Sequence, residues 1–444
     1  MTDTTGDFEE QIGYALDEGA DAKGLNEVIT HVNDAYNKSK DWRQQSDEHR
    51  WLQAYRNYRG LYSSDVQFTE AERSRVFIKV TKTKVLAAYG QIIDVLFAKT
   101  KFPITIDPTT LPEGVSESVY FDPKERPEEI EDDGPASPYG SRDDEEELPK
   151  GATLYSLTKR LGPLADKLRG IKNLKEGAGT TPTAVTFSPA EIAAKKMEKK
   201  IHDQLEESNA SKHLRSSIFE CVLFGTGILK GPFAVDKEYP SWNEEGGYEP
   251  VTKVVPQAAH VSIWDFYPDP DSSNMDEALY VVQRHKLSKS QLRALKKRPF
   301  FRQEAIEESI ASGGTYTREY WENDLKDYFI NEAPDRYEIL EYWGTIDTET
   351  AKEYGMDLPK EFEDTDEIQI NCWICNDMIL RLVANPFQPT RIPYFAVPYE
   401  LNPYSFFGIG LAENMDDTQT LMNGFMRMAV DNAVLSGNLI FEVN

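Results

Sequence analysis

The stretch from Pro403 to Asn432, PYSFFGIGLAENMDDTQTLMNGFMRMAVDN, constrains this chain more than any other part of it. Pro403, Gly408 and Gly410 are turn and breaker residues, and the residues after Gly410 have the repeat of one long helix. Leu411, Met415, Thr418, Met422, Phe425, Ala429 and Asn432 recur at spacings of four and three, which places them on one face. Glu413, Asp416, Thr420, Asn423, Arg427 and Asp431 fall on the other. A helix over residues 411–436 would be roughly 39 Å long at 1.5 Å per residue, so it needs neighbours along its length. Thr418 and Asn432 interrupt the apolar stripe, and methionine is an adaptable filler that specifies a unique core poorly. The pattern fits packing against copies of itself through Leu411, Met415, Met422 and Phe425, and equally an ordinary core helix of a monomer.

A chain of 444 residues is too long for one simple core and predicts about two to four structural regions. The formal net charge of −27, from 49 bases and 76 acids, argues against a simple nucleic-acid-coating protein, because such proteins bind by neutralising phosphates. Between Asp122 and Glu147 twelve acids stand against three bases, among Pro123, Pro127, Pro135 and Pro138. That composition predicts a solvated, mobile loop. Three cysteines, Cys221, Cys372 and Cys375, are too few for a disulfide framework and fit a reducing compartment. No window is apolar enough for a membrane span, and MTDTTGDFEE lacks the basic and apolar regions of a secretory signal.

Along the chain, residues 1–25 read as a flexible polar arm. Helical patterns come next at Val28, Ile29, Val32, Ala35 and Tyr36, then at Trp51, Leu52, Tyr55 and Tyr58, and from Val76 to Ala98. Lys101 to Asp107 reads as a short strand, followed by the acidic insertion and a Gly/Thr-rich linker over residues 177–183. Ser188-Pro189-Ala190-Glu191 is a capping box that starts a helix, and a second helix carrying His213, Cys221 and Leu223 ends near Gly225-Thr226-Gly227. Strands are expected over residues 227–235 and 251–263, and a helical region broken by Pro299 over residues 287–310. Ile368, Ile370, Cys372 and Ile374 alternate, Asn376-Asp377 can turn, and Met378, Leu380 and Leu382 alternate back, which predicts a hairpin beside a strand at residues 337–344.

Catalytic and ligand motifs are weak. Cys372 and Cys375 lie within an alternating strand that would point them to opposite faces, so neither a redox pair nor half a zinc site is expected. Gly225 to Gly231 lacks the spacing of a phosphate-binding loop, and a helix-to-strand turn is the simpler reading. Asp269, Asp271 and Ser273 lack the glycine and terminal glutamate of a calcium loop. The six histidines form no ligand set, and no cofactor or metal is expected. Lys289, Arg293, Lys296, Lys297 and Arg298, with Lys286 and Arg302, form a basic cluster that would contact DNA or an acidic partner, or simply be the wet face of a helix.

Three stretches share an order with a known family. Phe406-Phe407-Gly408-Ile409-Gly410 with Glu413, Asp417, Gln419, Asn423 and Asp431-Asn432 resembles the helix-entry signature of tailed-phage portal proteins. Val261-Ser262-Ile263-Trp264-Asp265-Phe266-Tyr267-Pro268-Asp269-Pro270, continuing into Val281-Val282, resembles a portal segment that ends a wing strand. Arg391-Ile392-Pro393-Tyr394 resembles the exit from a portal clip. The resemblance spans roughly residues 252–432 and implies an α+β portal-type fold, with a mixed wing domain, long stem helices and a small β-rich clip. Its divisions would be wing at 26–285 with an insertion at about 108–150, the approach to and first stem helix at 286–336, clip at 337–402, and second stem helix at 403–438. Residues 439–444 would begin a return to the wing, with the chain ending early for a portal.

The resemblance implies a structural protein rather than an enzyme: a ring, twelve subunits by family likeness, at the unique capsid vertex of a virion assembled in the host cytoplasm. Double-stranded DNA would pass through it, driven by the terminase large subunit, and a head-tail adaptor, the major capsid protein and scaffolding protein would contact it. Glu413, Asp416, Thr420, Asn423, Arg427 and Asp431 would then line the channel, their acids repelling phosphate. The rival readings are a soluble cytosolic hydrolase using paired carboxylates, or another structural protein of the virion.

Overall fold

Helices and strands follow one another in runs, an α+β arrangement set by two antiparallel sheets. The computed structural model describes residue 16 and residues 22–63, 66–68, 73–97, 102–108, 189–242, 247–326, 335–356, 358, 365–385 and 392–437. Residues 1–15 and 17–21 of the expected arm, the acidic stretch 122–147, the linker 177–183, Ser188, Arg391 and residues 439–444 lie outside them, while residues 22–25 belong to the first helix rather than to an arm. Two units divide the chain, residues 1–103 with 201–444, and residues 104–200. In the second, the described residues are 104–108 and a helix from Pro189 onward.

The helices are α1 (Ala22–Ser46), α2 (Glu48–Arg59), α3 (Val80–Phe97), α4 (Pro189–Glu207), α5 (Ala210–Phe224), α6 (Lys289–Ala294), α7 (Gln303–Ser312), α8 (Tyr320–Lys326), α9 (Thr348–Glu353), α10 (Leu411–Asn414) and α11 (Asp416–Gly437). The strands are β1 (Thr226–Tyr239), β2 (Val251–Val261), β3 (Phe266–Pro268), β4 (Tyr280–Leu287), β5 (Tyr337–Asp347), β6 (Glu367–Cys375), β7 (Met378–Ala384) and β8 (Tyr394–Pro398). The long helix expected after Gly410 is present, with a turn at Met415 between α10 and α11.

A five-stranded sheet runs β3-β4-β5-β6-β7, and a three-stranded one β2-β1-β8. The hairpin read from alternation is β6-β7, turning through Asn376 and Asp377 at φ 52° and 57°, the paired left-handed geometry of a tight hairpin turn. One face of the five-stranded sheet packs its Tyr342, Ile370, Cys372 and Leu382 with Val28, Val32 and Tyr36 of α1. The other packs Ile339, Trp373, Cys375 and Leu380 with Leu292 and Leu295. Cys372 and Cys375 therefore enter different cores, as the period of two requires.

Several boundaries differ from the sequence reading. Residues 337–402 do not close into a module of their own: β5–β7 complete the sheet begun by β3 and β4, and β8 pairs with β1. Alternation marks strands but does not say which ones pair. Residues 286–326 hold no long helix; α7, the longest, spans ten residues, ended by Gly313-Gly314. Residues 102–108 form no strand. Helix α3 starts at Val80 rather than Val76, because the N–H groups of Ser74 and Ile78 are taken by Asp431 and Asn423 of α11 instead of by a helix of their own.

The three motif stretches meet in one core. Ile263, Trp264 and Phe266, then Ile392 and Tyr394, then Phe406 and Phe407, pack together with Trp51. Trp51 sits edge-on to Phe407 at 4.8 Å and to Trp264 at 5.4 Å. Arg43, fully buried, donates to the carbonyls of Phe266 at 2.6 Å and Trp264 at 3.2 Å, and to Glu48 at 2.8 Å. Glu220 accepts from the Ser262 hydroxyl and the Ile263 N–H, both at 2.9 Å. Both glycine clusters have one cause. Gly225 sits at φ +102°, and a Cβ there would meet the Gly408 carbonyl at 2.3 Å, while one on Gly410 would meet the Leu223 carbonyl at 2.6 Å. The two turns pack backbone against backbone, and the Thr226 hydroxyl accepts from the Gly408 N–H at 2.9 Å.

Candidate functional site

Helix α10–α11 turns its polar stripe inward. Glu413 accepts from Arg50 at 3.0 Å, and Asp416 from Asn57 at 2.6 Å and Gln53 at 3.4 Å. Gln419, 1% exposed, accepts from both the N–H and the hydroxyl of Thr81 at 3.0 and 2.9 Å, and donates to Asn423 and the Ile78 carbonyl. Asn423 accepts from the Ile78 N–H at 3.0 Å, and Asp431 from the Ser74 N–H at 2.8 Å. The Arg427 guanidinium lies over Phe68 at 5.1 Å and Tyr62 at 5.3 Å.

The physical reason is the neighbouring backbone. Residues 73–79 belong to no helix or strand, and the first turn of α3 has N–H groups with no partner inside the helix. Side chains of α11 supply those partners, since a buried unpaired N–H is costly. Of the six residues expected to line a channel, Glu413, Asp416, Asn423, Arg427 and Asp431 are engaged within the chain, and Thr420 stands exposed. They do not form a free acidic stripe. Gln419 was not singled out as a site residue, although its spacing of four from Asn423 was readable. Two buried amides on one stripe can donate and accept at once, a signal for binding backbone rather than water.

The opposite face is apolar and bare. Leu421 is 60% exposed, Phe425 59%, Met428 59% and Leu435 67%, with Met422 and Met426 exposed toward one edge and the exposed Thr418 and Asn432 interrupting the stripe. Of the residues expected to pack between subunits, Met422 and Phe425 are on this face, while Leu411 and Met415 are half-buried at its start. A run of large exposed apolar side chains on one helix marks an interaction surface.

The basic cluster lies on α6 and the segment after it, seated on the five-stranded sheet. Lys289, Arg293, Lys297 and Arg298 are exposed, and Lys296 is half-buried and paired with Glu307. Lys286 instead turns to Asp265 and Glu322, each at 3.1 Å. Nearby, Arg381 of β7 lies 5.4 Å from the Phe301 ring. Burial pulls its guanidinium down to about 10, with Arg298 pushing the same way and Glu341 opposing.

Between the two sheets sits a buried ion cluster that sequence reading missed. Lys230 of β1 meets Glu341 of β5 at 2.5 Å, and Glu341 also accepts from His285 at 2.6 Å and the Trp343 indole at 2.7 Å. Burial acts to raise the Glu341 carboxyl, but Lys230 and His285 together hold it well below the usual carboxylate range. Lys230 is pulled down by burial and supported by Glu341. No group of three or more His, Cys, Asp or Glu side chains among the described residues could hold a metal ion. No helix among them is long and apolar enough to cross a membrane.

No curated protein matches the chain. Residues 190–442, more than half of its length, match the family described as Phage SU10 portal protein. That span holds all three motif stretches and the long helix with its bare apolar face, and the chain belongs to this family of phage portal proteins.

Proposed function

We propose that the chain is the subunit of a ring at the unique capsid vertex, through which the terminase packages double-stranded DNA, the DNA later leaves, and to which tail adaptors attach. Its role is structural rather than enzymatic. The observation that carries this reading is the apolar outer face of α11. Its polar face is occupied by α2 and residues 74–81, so the remaining surface, centred on Phe425, calls for an apolar neighbour. A second copy offers one through a head-to-tail contact, and such contacts close into a ring when the rotation permits. In this reading α11 is a stem helix, and Met422 and Phe425 pack between subunits. Twelve copies, the capsid and scaffolding partners, and location in the virion follow from family likeness.

The channel wall is assigned differently from the sequence expectation. With its acids at 413, 416 and 431 tied down, the first turns of α11 offer a lumen the exposed Asp417, Thr418 and Thr420, and phosphate repulsion rests on the chain's net charge of −27. Electron microscopy of the purified chain tests the proposal: closed rings with a central opening support it, and uniform single subunits at micromolar concentration refute it.

A further inference from the structure

The basic cluster is not part of the apolar α11 face on which the ring reading rests, yet it is built as a site. No acid occurs from Ala278 to Gln303, and among the described residues Lys289, Arg293, Lys297 and Arg298 form no ion pair. Beneath them Leu292, Leu295, Phe301 and Ile306 are buried against the sheet, so the cations stand on a rigid support. Lys289, Arg293 and Lys296 line a surface depression of about 390 Å³ together with Glu307, Ile310 and Ala311. Beside it, Arg381 keeps a buried Nε without a hydrogen-bond partner and is repelled by Arg298. Positive charge there is under-compensated in a chain that is otherwise strongly acidic.

The missing apolar component identifies the ligand class. Protein partners are held by buried aromatic or aliphatic anchors within a polar rim, and no large hydrophobic side chain of residues 289–302 is exposed. A surface on which four unpaired lysines and arginines outnumber the single lining carboxylate, Glu307, suits a polyanion gripped through its phosphate oxygens. We propose that this pad binds the phosphate backbone of double-stranded DNA without reading its sequence. The inference rests on the portal reading for DNA being the polyanion at hand.

The test is fluorescence anisotropy of a short duplex with the purified chain across a salt series. Wild type is compared with Lys289→Gln/Arg293→Gln/Lys297→Gln/Arg298→Gln and with a control, Glu304→Gln/Glu308→Gln. Each lost phosphate contact lowers the slope of log affinity against log salt by about 0.9, so the quadruple variant should lose about 3 to 4 and bind about a hundredfold more weakly or worse. Lys297→Gln and Arg298→Gln alone should each remove about 0.9, which keeps the proposal testable if the quadruple variant misfolds. The control should bind no more weakly, and duplexes of different sequence should behave alike. Unchanged affinity and slope in the variants overturn the proposal, as does binding of polyglutamate in preference to the duplex, which would assign the pad to an acidic protein. Mass measurement on the same samples separates the two readings: rings that ignore DNA sink this inference alone, and single subunits that bind it through these four residues sink the ring alone.

Discussion

Gln419 Oε1 accepts from both the backbone N–H and the hydroxyl of Thr81, at 3.0 and 2.9 Å, so a side chain of α11 caps the first turn of α3. This contact reverses the usual orientation of an amphipathic helix: the polar stripe faces the protein and the apolar stripe faces out. A helix seated this way is held to its own subunit by hydrogen bonds and presents its apolar side to a neighbour.

Gln419→Leu removes the partner of a buried N–H. It should lower the unfolding free energy by about 1–3 kcal/mol for each buried group left unpaired, read as a shift in urea midpoint without a change in slope. Thr81→Val should cost less in the Gln419→Leu background than alone. Strict additivity would mean the two residues act independently.

Phe425→Asp should abolish rings and leave the subunit folded. The side chain is 59% exposed in the single chain, so subunit stability should change by no more than about 0.5 kcal/mol. Sedimentation velocity with thermal melting separates the two effects; an intact ring in this variant would place the contact elsewhere.

Glu341→Gln leaves the buried Lys230 ammonium without its counter-charge and should destabilise by about 3–5 kcal/mol. A carboxyl depressed on folding contributes stability that is fully present above its unfolded value and is lost as pH falls toward the folded one. Wild-type stability should therefore fall as pH drops below about 4.5, and Glu341→Gln should flatten that dependence. Parallel pH profiles for the two proteins would show that the carboxylate carries no linkage.

Two glycines should respond in opposite directions. A Cβ at Gly408 would lie 2.6 Å from the Glu400 carbonyl and 2.7 Å from that of Gly225, so Gly408→Ala should cost about 1–3 kcal/mol. At Gly424, within α11, nothing lies within 4 Å of such a Cβ, and alanine should stabilise the subunit by about 0.5–1 kcal/mol. Calorimetry of both variants checks the pair; destabilisation at Gly424 would point to a close approach there.

The sequence revealed what depends on local period and failed where long-range pairing decides. Alternation located β6 and β7 and separated Cys372 from Cys375, and the glycines before Leu411 located the start of the long helix. That Gly225 and Gly408 need each other was invisible, because each reads locally as a turn. The two faces of α11 were legible, but their orientation was not. Which stripe turns inward depends on unpaired N–H groups at Ser74, Ile78 and Thr81, more than three hundred residues away in sequence. The Lys230–Glu341 pair was likewise hidden, since nothing in either strand's own pattern brings β1 to β5.

The most direct test of the account is the mass of the purified chain in solution, taken with images of the same sample. The account predicts closed rings at a whole multiple of 50.6 kDa, with Phe425 protected from solvent and a central opening. A species of 50.6 kDa that stays single at high concentration, its α11 face still open to water, would contradict it.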